Sequence, residues 1–411
     1  LLDKPVGVPA WAVAPPAVEV PENAVEQWEQ LGVEIAERVA GSVRQGVYLR
    51  LPALAELFHL APFDVDVVVM CLAPEIDRRY ERLYGYLHDD ITRRAPTVDL
   101  ILNLRCADLE SKVAARTRFT PQAPLLRHRL ITLVEDPAPC SLLGRNARLD
   151  PRVVQFLLED DQVDDRLRGF ARLVGPDASF DDLVFPAQFS ARLARLAEHA
   201  DENLVLYCQG PYGVGKQTAA AACAQSWGAM LLVVSAELLT GRPFEEFVTL
   251  ISLLDREARL QGAVMYWNNV DALLGEKRHL MLLLSTLAAY PGPAFLAGDT
   301  RWEPADAPDD LTFVRLEFPA PGHSERVRLW SAALDDPGGG ELDLATVSSK
   351  FRLSGGQIRD AATTARQLAF ARAPDAPVVT QDDLAAACRL QSNRKLGALA
   401  QHIMPHYTWD D

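Results

Sequence analysis

The chain has 411 residues, 49% of them hydrophobic and 24% charged, and a formal net charge of −15. That length exceeds what one ordinary core organises and implies two or three domains. Neither a secretory signal nor an apolar run of about 18 residues is present, which predicts a cytoplasmic protein with no membrane contact, and the acidity argues against an extended nucleic-acid surface.

Residues 1–22, with Pro5, Pro9, Pro15, Pro16 and Pro21, can hold neither helix nor central strand and are expected to form a linker. Helical periodicity then runs over 26–43. In 80–91, Tyr80, Leu83, Tyr84, Leu87 and Ile91 predict one face of a helix, which Pro96 stops. Thr97 is a helix N-cap ahead of Val98, Leu100, Ile101 and Leu104. Residues 125–133 and 142–149 predict two strands of a hairpin around a turn at 136–139, and Asp150-Pro151 caps and opens a helix to Leu158.

Short helices followed by a hairpin are the order of a winged-helix domain, here residues 23–160. Such a domain places a helix in a DNA groove or serves as a protein-packing module. Between 41 and 130, 13 Lys and Arg face 11 Asp and Glu, too small an excess for a nucleic-acid footprint. Residues 160–179 predict a polar connection. Short β-rich runs at 204–209, 230–234, 263–268, 294–297 and 313–318 alternate with helices, so residues 161–322 are expected to build a parallel α/β sheet. Residues 323–395 turn helical, with 325–334, 357–371 and 381–390 the clearest pieces, and form a lid; 396–411 lead onward. The cysteines, Cys71, Cys106, Cys140, Cys208, Cys223 and Cys388, show no C-x-x-C spacing and predict buried thiols rather than a disulfide framework or zinc site.

The first β-run of the sheet leads into Gly210-Pro211-Tyr212-Gly213-Val214-Gly215-Lys216-Gln217-Thr218. Strand, G-x-x-x-x-G-K and helix in that order predict a phosphate loop (P-loop), with backbone N–H groups of 213–217 and the Lys216 ammonium meeting nucleotide phosphates. Gln217 stands where a hydroxyl would reach Mg2+, and Thr218, one residue late, is expected to point elsewhere. The run 263–267 is the apolar strand that should end in two carboxylates, yet its tip is Asn268-Asn269. Neither amide is a base, and loss of a general base typically costs about 10²- to 10⁴-fold in rate. Asp271 should aim away from the phosphates. Two readings stand: a site that holds ATP or ADP without hydrolysing it, with Mg2+ short of its usual ligands, or a loop that has kept its shape and lost its ligand.

From about 180 to 390 the chain resembles an AAA+ module. The segment Gly298-Asp299-Thr300-Arg301 is similar to sensor 1, Phe318-Pro319-Ala320-Pro321 with Arg326 follows, and Ser354-Gly355-Gly356-Gln357-Ile358-Arg359 looks like sensor 2, which would set Arg359 before the γ-phosphate. Residues 309–315 lack an arginine-finger pattern, with Arg315 a weak candidate. Four further segments stand out: Leu72-Ala73-Pro74-Glu75-Ile76-Asp77, Tyr80-Glu81-Arg82-Leu83-Tyr84, Asp89-Asp90 and Gln391-Ser392-Asn393-Arg394-Lys395-Leu396-Gly397. On these the whole chain resembles the winged-helix AAA-family ATPases encoded with bacterial contractile injection systems. The resemblance implies a degenerate first ATPase module with no intact catalytic residue, assembly into a ring, possible partners among injection-system proteins and a second, intact module. Trp409-Asp410-Asp411 echoes Phe180-Asp181-Asp182, either by chance or because that second module would begin there.

Overall fold

The computed structural model describes residues 22–135, 140–175, 178–199, 203–304, 306–335 and 342–401. The expected linker before residue 22, the hairpin turn at 136–139 and the echo at 409–411 lie outside them. Packing separates two compact units, Leu1–Val65 and Asp66–Asp411.

The first unit holds α1 (Glu22–Arg44) and α2 (Arg50–Leu57), and α3 (Pro62–Ile76) runs across the boundary. In the second unit α4 (Arg79–Leu87) is shorter than its periodicity implied. Asp89 takes a left-handed φ of 52° and the Asp90 N–H closes on the Gly85 carbonyl at 3.0 Å, so the chain reverses before Ile91. The expected apolar face is therefore not a core face. Tyr84 alone of the five is buried, its hydroxyl donating to the Met70 carbonyl at 2.8 Å, while Tyr80, Leu83, Leu87 and Ile91 are exposed.

α5 (Val98–Arg105) is capped by Thr97, whose Oγ1 accepts from the Leu100 N–H at 3.1 Å. α6 (Leu109–Ala115) and the single turn α7 (Pro124–Arg127) follow. The hairpin forms with shorter strands than expected: β1 (Ile131–Val134) pairs antiparallel with β2 (Asn146–Leu149), Ile131 opposite Leu149. Pro124 starts a helix instead of a strand, Arg129 reverses the chain at φ 52°, and 142–144 form a 3-10 turn. Asp150 caps α8 (Pro151–Leu157), accepting from the Arg152 N–H at 3.0 Å.

The expected polar connection contains a strand, β3 (Ala171–Val174). After it come α9 (Ala187–Glu198), β4 (Leu204–Gln209), α10 (Lys216–Ser226), β5 (Met230–Ser235), α11 (Phe244–Gln261), β6 (Ala263–Asn268), α12 (Lys277–Ala288), β7 (Ala294–Gly298) and β8 (Thr312–Glu317). The strand order is β3-β5-β6-β7-β4-β8, parallel throughout except for the antiparallel edge strand β3. Alternate side chains enter opposite cores. Tyr207, Val234, Met265, Trp267 and Leu296 meet α11 and α12, whereas Leu206, Cys208, Val233, Tyr266 and Phe295 meet α9 and α10. The lid, α13 (His323–Leu334), α14 (Leu344–Lys350), α15 (Gly355–Arg372) and α16 (Gln381–Gln401), has its own core around Trp330, Ile358 and Leu384. The fold is the expected one: a helical winged-helix region, then an α/β domain with a mostly parallel sheet and helical lid.

A buried ionic cluster ties α8 and the segment after it to α11. Arg152 grips Glu257 through Nε–Oε2 at 2.9 Å and Nη2–Oε1 at 3.1 Å, with both side chains essentially removed from solvent. Arg256 meets Asp164 at 2.7 Å and Asp150 at 3.2 Å. Burial pushes the Asp164 carboxyl up, but hydrogen bonds from Arg166 and the charges of Arg166 and Arg256 outweigh it and hold the group below its ordinary value. Four of the six cysteines are buried; Cys106 and Cys140 are only partly so, which corrects the expectation for those two. No described helix is long and apolar enough to cross a membrane.

Candidate functional site

The glycine-rich loop leaves β4 at the carboxyl end of the parallel strands, where open α/β sheets bind ligands. Gly215 enters α10 at a left-handed φ of 99°, and as a glycine it lacks the Cβ that would lie 2.9 Å from the Phe185 ring. Small residues Ala219–Ala224 then let α10 lie close over β5, β6 and β7. The Lys216 ammonium donates to the Gly210 carbonyl, to the Gly298 carbonyl at 3.3 Å and to Asp299 Oδ1 at 2.9 Å. Asp299 is 63% exposed, so this contact can yield to a stronger anion.

Two hollows adjoin the loop. A polar cleft of about 590 Å3 is lined by Gly213, Gly215, Lys216, Gln217, Thr218, Asn268, Asn269 and Arg359, together with Arg172, Glu237, Asp299 and Asp360. A smaller slot of about 140 Å3, with Leu183, Phe185, Pro319 and Leu329 in its walls, shares Gly213, Gly215, Thr218 and Arg359 with the cleft. Gly210 and Val214 are not on the cleft wall. Gly210 donates its N–H to the Gly298 carbonyl at 3.0 Å, and Val214 is buried against the slot. Thr218, expected to point elsewhere, lines both hollows, because the first turn of α10 faces the cavity on more than one side.

At the tip of β6, Asn269 sits at φ 56°, a left-handed conformation that asparagine tolerates better than most residues. Its Nδ2 donates to Glu237 Oε2 at 3.0 Å, from the turn after β5. Asp271 turns away and uses both carboxylate oxygens on backbone N–H groups, that of Asp299 at 2.5 Å and that of Thr300 at 3.1 Å. It thereby shapes the segment that brings Asp299 to Lys216. Tyr207 donates to the Thr300 carbonyl at 2.5 Å; burial first, then the charges of Asp271 and Asp299, push its pKa upward and keep it a donor. Arg315 lies on β8 and pairs with Glu303 at 3.4 Å, away from the cleft. Arg326 is built into the lid, donating to the Ser348 carbonyl at 2.9 Å and the Pro321 carbonyl at 2.6 Å.

The lid touches the loop backbone directly. The Gly356 N–H donates to the Gly213 carbonyl at 2.7 Å, and a Cβ on Gly356 would meet the Gly213 Cα at 2.6 Å. Ser354 caps α15, accepting from the Gln357 N–H, and this start of the helix holds Arg359 over the cleft. Gly356→Ala is expected to push the lid off the loop and cost about 1–3 kcal/mol, read as a lower melting temperature and faster proteolysis between α14 and α15; an unchanged melt would show that the contact yields freely.

Sequence reasoning missed Arg172 and Glu237. Arg172 is the second residue of β3, and because that strand is antiparallel its beginning lies at the carboxyl end of the others, Arg172 opposite Val233. Its Nη2 reaches Gln217 Oε1 at 3.4 Å.

Helices, a two-stranded hairpin, a mostly parallel sheet and a helical lid follow one another along the chain. More particularly, residues 11–171 match the family model for the winged helix domain, variant, and residues 322–394 match that for the contractile injection system ATPase helical domain. Among solved structures the chain is similar to the FIGL-1 AAA domain in complex with ADP, at 20% identity over 57% of this chain and 92% of that one, TM-score 0.42. It is also similar to a second FIGL-1 AAA domain structure at 19% identity over 62% and 98%, TM-score 0.42. No curated protein matches the chain.

Proposed function

We propose that this chain is a nucleotide-holding AAA module of a contractile injection system ATPase, binding ATP or ADP for shape and ring assembly while hydrolysing little or none itself. The observation that carries this reading is the junction of the two hollows at Gly213, Gly215, Thr218 and Arg359. A polar cleft at the start of a helix suits phosphates, and the adjoining apolar slot suits a purine ring. Loop N–H groups and Lys216 would take the phosphates, and Arg359 would approach the terminal one. Asn268 and Asn269 offer no carboxylate to activate water. The domain plan retained is a winged helix over 23–160, sheet over 161–322 and lid over 323–395, acting in the cytoplasm with other copies and with injection-system proteins as partners.

The test is equilibrium binding of ADP and ATP to the 411-residue chain. Lys216→Ala is expected to weaken binding by about 10²-fold, the worth of a charge-assisted phosphate contact. A second reading, a scaffold whose winged helix docks a protein, is favoured by the Asp299 carboxylate already resting on Lys216. Absence of binding at millimolar nucleotide decides for it.

A further inference from the structure

The wall of the cleft beside Gln217 is cationic where a nucleotide site of this design usually relies on a metal ion. Arg172 reaches in from the edge strand and donates to Gln217 Oε1. That amide oxygen is the one side-chain atom at position 217 able to ligate a metal, and it already faces a guanidinium. The strand tip opposite offers the neutral Asn268 and Asn269, and Asn269 spends an N–H on Glu237. The other carboxylates on the cleft wall are engaged as well, Asp299 by Lys216 at 2.9 Å and Asp360 by the Tyr212 hydroxyl at 3.4 Å. Among the described residues no three His, Cys, Asp or Glu side chains stand together as a metal site.

We infer that Arg172, in place of a divalent cation, supplies the positive charge at the Gln217 side of the cleft, so that ADP and ATP bind without Mg2+. The inference rests on the nucleotide reading above and adds how phosphate charge is balanced. A guanidinium suits this role because it stays charged at every working pH, sheds water more readily than Mg2+ and matches phosphate oxygens two at a time. The Gln217 amide then serves to aim Arg172 rather than to hold an ion. Lys216, Arg359 and Arg172 all line the same cleft, so three cationic side chains are available to a polyanion there.

The experiment measures ADP and ATP affinity of the whole chain by calorimetry in excess Mg2+ and in EDTA. The two dissociation constants are expected to agree within about threefold. Arg172→Ala should weaken binding in EDTA by about 10- to 100-fold, the effect of losing one charged hydrogen-bonding group, and Arg172→Lys should recover only part of it, because an ammonium lacks the planar fork. A wild-type affinity that falls by about tenfold or more when Mg2+ is removed overturns the inference with no variant needed. So does an Arg172→Ala variant, folded by circular dichroism, that binds like wild type in EDTA. Absence of either nucleotide in both buffers removes the nucleotide reading itself, a result distinct from Mg2+-dependent binding.

Discussion

Glu257→Ala should lower stability by about 3–5 kcal/mol, because it strands a guanidinium in the interior with no carboxylate. Arg152 is essentially without solvent contact, and of its donors only Nη1 finds another partner, the Asp160 carbonyl at 3.0 Å. Gln261 would also lose an acceptor, since its Nε2 donates to Glu257 Oε1 at 2.9 Å. Differential scanning calorimetry of the variant reads the effect as a lowered melting temperature. The companion variant, Arg152→Met with Glu257→Leu, removes both charges and is expected to fall within about 2 kcal/mol of the parent. A single variant no worse than the double one would show that water reaches the pair. The neighbouring Arg256 with Asp150 and Asp164 remains intact in both, so the comparison isolates one pair.

The second large expectation is negative. Asn268→Asp with Asn269→Glu should leave ATP turnover at background, at least about 10²-fold below an active site with its base in place. The structure sharpens the reason. Glu at 269 would set a carboxylate where Asn269 now donates to Glu237, so two acids would face each other and one would stay protonated or swing out. The left-handed backbone at 269, φ 56°, suits asparagine and disfavours glutamate. Gln217 would still provide no hydroxyl. Steady-state phosphate release by the double variant checks this, and robust turnover would sink the account of a holding module.

Much of the fold was legible because its signals are local. Strand lengths in the sheet agree with the apolar runs to within a residue or so, and the caps at Thr97 and Asp150 are side-chain chemistry written in the sequence. β3 was not legible: four residues, Ala-Arg-Leu-Val, between polar stretches carry too little periodicity to stand out, and only pairing with β5 makes them a strand. The face of α4 misled for the converse reason, since regular apolar spacing does not say whether anything lies against it. In the site, the residues contributed by the loop and strand tip were readable from spacing. Arg172 and Glu237 were not, because each reaches the cleft from a different strand end, and strand order across a sheet is a long-range property. Asp299 was named as part of a sensor-like segment, yet its place on Lys216 depends on Asp271 folding the backbone toward it.

The bond from Gly356 to the Gly213 carbonyl bears on the order of assembly. A motif nine residues long can be recognised by eye, but one of its carbonyls is satisfied by a helix much later in the chain. That contact closes a long loop of intervening sequence, an entropic cost that the local motif does not carry by itself. A fragment cut before Gly355 would carry every letter of the motif and still leave the Gly213 carbonyl without the donor that finishes the turn.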